Sequence, residues 1–160
     1  MTEATLPPAA VRVAEALRDG GVTGRLVVLP EPAPTAAAAA AQLGCEVGAI
    51  ANSLVFRADH RPLLVLTSGA HRVDTARVAA LLGVARIDRA DPEFVRRHTG
   101  QAIGGVAPVG HPTPVPTVVD VWLARHARVW AAGGHPSTVF PTTYDELLRI
   151  TGGTTAEVGG

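Results

Sequence analysis

Two apolar runs, "AIANSLVF" (49–56) and "PLLVLTSG" (62–69), are separated only by "RADHR". Runs of that length, rich in Val, Leu and Ile, read as strands, and the polar stretch between them suits a hairpin connection. A hairpin commits this part of the chain to antiparallel pairing. Helical segments are interleaved around it, so the expected fold is mixed α/β (α+β). A purely doubly wound parallel sheet is disfavoured.

The flanking helices carry their own punctuation. "PPAAVRVAEALRD" (7–19) puts Val13, Ala14 and Leu17 on one face, with prolines before it and Gly20-Gly21 after it. Thr35 is placed to N-cap the alanine run "AAAAAAQL", which Gly44 closes. Asp74 and Gly83 bracket "TARVAALL", and Asp91-Pro92-Glu93 opens a helix through residue 98. "TTYDELLRITGG" is a capped C-terminal helix. "RLVVL" (25–29) reads as a short buried strand, "ARVWAAGG" as another, and "STVF" follows. The expected organisation is one domain over 1–160, with residues 1–6 and 154–160 frayed.

The bulk numbers narrow the function classes. With 160 residues, 47% hydrophobic and 18% charged, the chain suits one compact core. Aromatics are only 4%, so Val, Leu, Ile and Ala must fill that core. A formal net charge of zero does not suggest broad gripping of a nucleic-acid backbone, though one nucleotide could still be held locally. Cys45 stands alone, which excludes an intrachain disulfide and fits a reducing, cytoplasmic setting. The N-terminus shows no signal-peptide pattern. The uncharged stretch from Pro32 to Cys45 is broken by prolines and does not read as a membrane span.

Common catalytic signatures are missing. There is no phosphate-binding G-x-x-x-x-G-K-[ST], no dinucleotide G-x-G-x-x-G and no G-x-S-x-G elbow. Six scattered histidines without an H-x-x-x-H pair give a metal site weak support, and no metal is expected. Three loops do share a pattern of glycine beside histidine near an apolar strand: "TSGAHR" (67–72), "APVGHP" (107–112) and "AAGGHP" (131–136). Glycine permits close backbone approach, and histidine can donate, accept or shuttle a proton. If the three meet at one sheet edge they line one pocket; otherwise they are ordinary turns. Asn52 and Asp120 are polar residues inside apolar strands, so each must find partners or face a cleft. Arg72 with Asp74 could be a plain surface pair.

The string "NSLVF…LLVLTSGAHRVD…LLG…TGQAIGGVAPVGHP…VVD…VWAAGGHP…TTYDELL" resembles the YbaK/ProX family, free-standing relatives of the prolyl-tRNA synthetase editing domain. The resemblance runs from about residue 35 to 151. Its most specific part is "GGVAP", which matches the family's G-x-x-x-P loop as Gly104 to Pro108. It implies a curled mixed sheet with flanking helices. It also implies a deacylase acting in trans on the ester between a wrong, small amino acid and the terminal adenosine of a tRNA, such as proline tRNA. Water attacks in this family, assisted by a ribose hydroxyl, and no cofactor is implied. The implied partners are the tRNA acceptor end and, in one arrangement, a synthetase to dock on.

Carried over residue by residue, the resemblance makes Gly104, Gly105 and Pro108 the substrate loop. Asn52 contacts the terminal nucleotide. Ser68, Gly69, His71, Arg72, His111, Gly133 and His135 surround the substrate, with His135 bounding the amino-acid side chain. Asp120 holds the loops. One departure stands out: the family carries a phosphate-holding lysine where this chain has Asn52. Arg72, His111 and His135 are the expected substitutes. Two other readings stay open on that account: a non-catalytic binding module of the same fold, and a hydrolase of another small aminoacyl ester.

Overall fold

A computed structural model describes residues 6–159. The expectation of fraying at the N-terminus lies mostly outside them; Leu6, the first described residue, is buried. Eight strands form one sheet in the order β1-β7-β6-β2-β3-β5-β8, with β4 paired to β2 off that path. In chain order these are β1 (Val27–Val28), β2 (Ile50–Ala58), β3 (Arg61–Ser68), β4 (Ile87–Arg89), β5 (Thr117–Asp120), β6 (Val129–Ala132), β7 (Thr138–Thr142) and β8 (Thr154–Ala156). The helices are α1 (Pro8–Asp19), α2 (Ala36–Leu43), α3 (Thr75–Leu82), α4 (Pro92–Thr99) and α5 (Tyr144–Thr151). The pairing is mixed: β2 runs antiparallel to β3 but parallel to β6, and β3 runs parallel to β5.

The hairpin forms where the sequence places it, but its turn is tighter. β2 and β3 extend until only Asp59 and His60 lie between them, both at positive φ (47° and 75°). Such a two-residue turn matches the strand twist, and a short polar side chain tolerates the conformation. Asp59 is further held by accepting the N–H groups of Ala85 and Arg86, both at 3.0 Å. These bonds hold its carboxyl below the usual range.

The strand's two-residue period sorts the core. Leu64 and Leu66 of β3 are fully buried on one face with Val13 and Leu17 of α1, Phe94 and Val95 of α4, and Leu147 of α5. Burying one such leucine contributes roughly 1.5–3 kcal/mol. Leu63 and Val65 point the other way, against Val78 and Ala79 of α3. Ala39 and Ala40 let α2 lie close over Ile50 and Trp130. The side chains of Thr35, Asp74, Asp91 and Thr143 each accept the N–H three residues on, as N-caps do. Gly44, Gly83, Gly100 and Gly152 end the same four helices in left-handed geometry.

Three expectations are corrected. The strand expected over 25–29 shrinks to two residues at the sheet's edge, where Val27 is exposed rather than buried. A three-residue strand, β4, appears where no apolar run announced one. The tail expected to fray from 154 instead adds β8 alongside β5, and Val158 is wholly buried against the α3 side. Its carbonyl accepts the N–H of Asp74 at 2.7 Å, which ties the tail to the start of α3.

Candidate active-site cleft

The site begins with an interruption in the sheet. Along one edge of β2, pairing with β6 ends at Ala51 and pairing with β4 starts at Phe56. Between them the edge of β2 is open, and a cleft of about 480 Å³ lies against it. Asn52 to Val55 form part of its floor. The loop residues Ile103, Gly104 and Val106 form one wall, and His135 with the segment Ala33–Ala36 forms another. Arg89 of β4 stands at the end where the strands diverge.

The glycine loop is held from within. Gln101 is buried; its Oε1 accepts the Ala107 N–H at 2.6 Å, and its Nε2 donates to the Val109 carbonyl at 3.1 Å. His111 Nε2 donates to the Ala107 carbonyl at 2.8 Å. Burial pushes the His111 pKa down, because the charged ring would lose water there. Pro108 is buried in the same loop and fixes its own φ. Gly105 meets the neighbouring loop so closely that a Cβ would lie 2.5 Å from the His135 carbonyl carbon. Its own carbonyl accepts the Gly134 N–H at 2.9 Å. The two glycine loops are therefore zipped together through backbone, and only glycine fits at the seam.

His135 is oriented by that seam. Its Nδ1 accepts the Ser137 N–H at 3.0 Å, so in the neutral ring the proton sits on Nε2. A hydrogen-bond donor is thereby available on a ring that lines the cleft. Asn52 also lines it and makes no side-chain hydrogen bond within the described residues, leaving its amide free for a ligand. Arg89 is exposed, is the cleft's only guanidinium, and has no acidic partner among the described residues. Its neighbours Arg57 and Arg86 are paired instead to Asp91 and Asp88. Among the described residues no carboxylate or cysteine lines the cleft.

The residues proposed from sequence divide into three groups. Asn52, Gly104 and His135 line the cleft. Gly105, Pro108, His111 and Gly133 do not line it. The first three of these belong to the loop that walls it, and a Cβ on Gly133 would strike Leu26 and Thr138. Ser68, Gly69, His71 and Asp120 gather elsewhere, beyond the start of β2, and Arg72 beside them is exposed.

In that second cluster Asp120 is wholly buried. Its Oδ2 accepts from the Ser68 N–H (3.0 Å), the Thr67 hydroxyl (3.3 Å) and His71 Nδ1 (2.9 Å). Its Oδ1 accepts the Trp122 N–H at 3.0 Å. The His71 ring stacks on Trp122 with centroids 3.6 Å apart. Ser68 Oγ donates to the Gly48 carbonyl at 2.8 Å, so it is engaged with backbone rather than with the imidazole. The three residue types of a nucleophilic triad are present, but the carboxylate serves as a hub joining β3, β5 and the chain after them. Sequence reasoning missed Ser53, Arg89, Ile103 and the Ala33–Ala36 segment. The one available signal was a polar pair, Asn52-Ser53, inside an apolar strand.

A cleft on an open strand edge, walled by a glycine loop and carrying an oriented imidazole, describes a small-ligand site on a mixed α/β domain. The chain belongs to the aminoacyl-tRNA editing domain family, whose model matches residues 30–150. It is 30% identical over 113 residues to YwhH of Bacillus subtilis, covering 70% of this chain and 71% of that protein. It is 36% identical over 99 residues to the proline–tRNA ligase of Bacillus licheniformis, covering 62% of this chain but only 17% of the ligase. Among solved structures, a protein described as a candidate trans-editing enzyme for prolyl tRNA synthetase superposes with a TM-score of 0.91 at 43% identity. That match covers 98% of this chain and 99% of the other. The hypothetical protein APE2540 superposes with a TM-score of 0.84 at 30% identity, covering 92% and 98%. Among the described residues no helix is long and apolar enough to cross a membrane.

Proposed function

We propose that the cleft hydrolyses the ester between a small amino acid and the terminal adenosine of a tRNA, with proline tRNA the first candidate. The observation that carries this reading is the seam between Gly105 and Gly134, which fixes a bare backbone wall and the His135 Nε2–H on one cleft. Ester hydrolysis by water needs donors held where negative charge develops on the carbonyl oxygen. Backbone N–H groups of the Gly104 wall and the His135 ring are suited to that role. Because the Gln101 braces fix the wall, it need not reorganise during the reaction. Water is the nucleophile, and the leaving group is a ribose hydroxyl of the terminal adenosine.

The wall also sets the size limit. It cannot retreat at Gly105 without breaking the seam, so it excludes larger acyl groups by contact, the logic of an editing sieve. Asn52 supplies an uncharged amide to the nucleotide. Arg89, rather than Arg72, His111 or His135, supplies the cation that the resemblance expects at position 52. The substrate is tRNA, presented free or from a synthetase, and the reaction takes place in the cytoplasm. Asn52 favours the rival reading, a binding-only domain.

Both readings are tested with proline tRNA charged with alanine, serine or cysteine, using the wild type and Asn52→Lys. Hydrolysis by the wild type supports the deacylase. Silence from the wild type, with activity gained in the lysine variant, supports the binding module. Silence from both overturns the hydrolase reading.

A further inference from the structure

We propose that Ser53, through its hydroxyl and the unpaired peptide group it presents on the open edge of β2, receives the α-ammonium group of the aminoacyl ester. This rests on the hydrolase reading and names a contact within it.

Two separate observations meet at this residue. The first is its side chain: Ser53 Oγ is buried without a hydrogen-bond partner, while Ser53 itself lines the cleft. Buried hydroxyls in folded proteins are nearly always paired, so an orphan asks for a partner that the free protein lacks. Rotation about one bond, among the staggered positions open to serine, is enough to meet it.

The second is the backbone. The Gly69 N–H donates to the Ile50 carbonyl, so the even-numbered peptide groups of β2 face β3. The Ala90 N–H meets the Val55 carbonyl at 3.4 Å, so the odd-numbered groups face the other edge. The pairing of β2 with β6 stops at Ala51 and its pairing with β4 starts at Phe56, which leaves the N–H and C=O of Ser53 without a strand.

The chemistry favours an ammonium. Such a group carries three donors and no acceptor. The Ser53 carbonyl and hydroxyl oxygen are two acceptors on one residue, and among the described residues no carboxylate lines the cleft to compete for the charge. Dipoles must therefore hold it. With the ammonium there, the acyl carbon lies farther along the same edge, toward the Val55 N–H and the cleft's other donors. Asn52, its neighbour in the strand, points to the opposite face and is left for the nucleotide. Ser53 is thus a positioning residue that selects for amino acids over other acyl groups.

The test compares the wild type, Ser53→Ala and Ser53→Thr on proline tRNA carrying alanine or lactate, which replaces the ammonium with a hydroxyl. The expected result is a loss of about tenfold or more in kcat/KM for the alanyl ester in Ser53→Ala. The lactyl ester should change by less than about twofold, and Ser53→Thr should restore most of the preference. Thermal stability of Ser53→Ala should not fall, because the substitution removes an orphaned buried hydroxyl. Equal losses on both esters, no loss on either, or a lower melting midpoint would each overturn the proposal.

If the wild type cleaves neither ester, the hydrolase reading fails, and non-hydrolysable amides decide the ammonium site separately. Backbone N–H shifts at Ser53 and Val55 with 3′-alanylamino-adenosine, absent with the lactyl amide, would support it. No shift with either would overturn it.

Discussion

Adding one methyl group at Gly105 should disable the cleft from outside it. A Cβ there would lie 2.5 Å from the His135 carbonyl carbon and 2.6 Å from the Pro136 nitrogen. Carbon atoms prefer separations of about 3.5–4.0 Å, so one loop must retreat by about 1 Å. Both obstacles are backbone atoms, and neither can be avoided by a rotamer change. The retreat also stretches the 2.9 Å bond from the Gly134 N–H to the Gly105 carbonyl. Overpacking of this kind costs about 1–3 kcal/mol. At roughly 2–4 °C per kcal/mol for a domain of this size, the melting midpoint should drop visibly. If the cleft hydrolyses the ester as proposed, a 1 Å misplacement of its wall should lower the single-turnover rate about a hundredfold.

Gly104→Ala separates geometry from strain. Its φ is +93°, yet a Cβ there meets nothing within 4 Å. It should lose about 1–3 kcal/mol to backbone strain while leaving the seam closed, so its melt shows what strain alone costs. Deacylation of alanyl-tRNA and a thermal melt of both variants make the comparison. A Gly105→Ala rate within about twofold of wild type would refute the seam argument, even if its melting point fell.

Asp120→Ala should cost about 3 kcal/mol or more, because it leaves the buried N–H groups of Ser68 and Trp122 and the His71 ring without their acceptor; chemical denaturation reads this directly. Burial lowers the His111 pKa in the folded chain, so on acidification the unfolded chain takes up that proton first. The His111 contribution to stability is complete above about pH 6.5 and is lost as pH falls below it. Melts at pH 7.5 and 5.5 should show a smaller acid loss in His111→Gln, which keeps a donor for Ala107. Arg89→Ala should leave the melt unchanged within about 0.5 kcal/mol, since the side chain is exposed and has no acidic partner among the described residues. The same variant should weaken tRNA binding and flatten its salt dependence by about one counterion.

Local chemistry was legible in the sequence wherever one segment decides its own shape. Thr35, Asp74 and Asp91 cap helices, and Gly44 and Gly83 end them, because capping needs only residues a few positions apart. β4 and β8 were invisible because three residues such as Ile87-Asp88-Arg89 form a strand only when a partner lies alongside.

The three glycine–histidine loops separate for a topological reason. "TSGAHR" and "AAGGHP" look alike, but β3 runs antiparallel to β2 and β6 runs parallel to it. The chain therefore leaves β3 beyond the start of β2, whereas it leaves β6 beside Asn52, where the open edge of β2 begins. One loop falls at the Asp120 hub and the other at the cleft. "APVGHP" packs differently again: a Cβ on Gly110 would lie 3.0 Å from a methyl of Val13 in α1. Ser53 escaped notice because its importance comes from where two other strands stop. Asn52 was found because an amide in an apolar strand is anomalous on its own terms.

The most direct test is the single-turnover rate at which the unmodified protein releases labelled amino acid from alanyl- and prolyl-charged proline tRNA. The account predicts release of alanine well above the spontaneous rate, with proline retained. Alanine loss no faster than in buffer alone, or equal loss of both amino acids, would contradict a size-limited hydrolytic cleft.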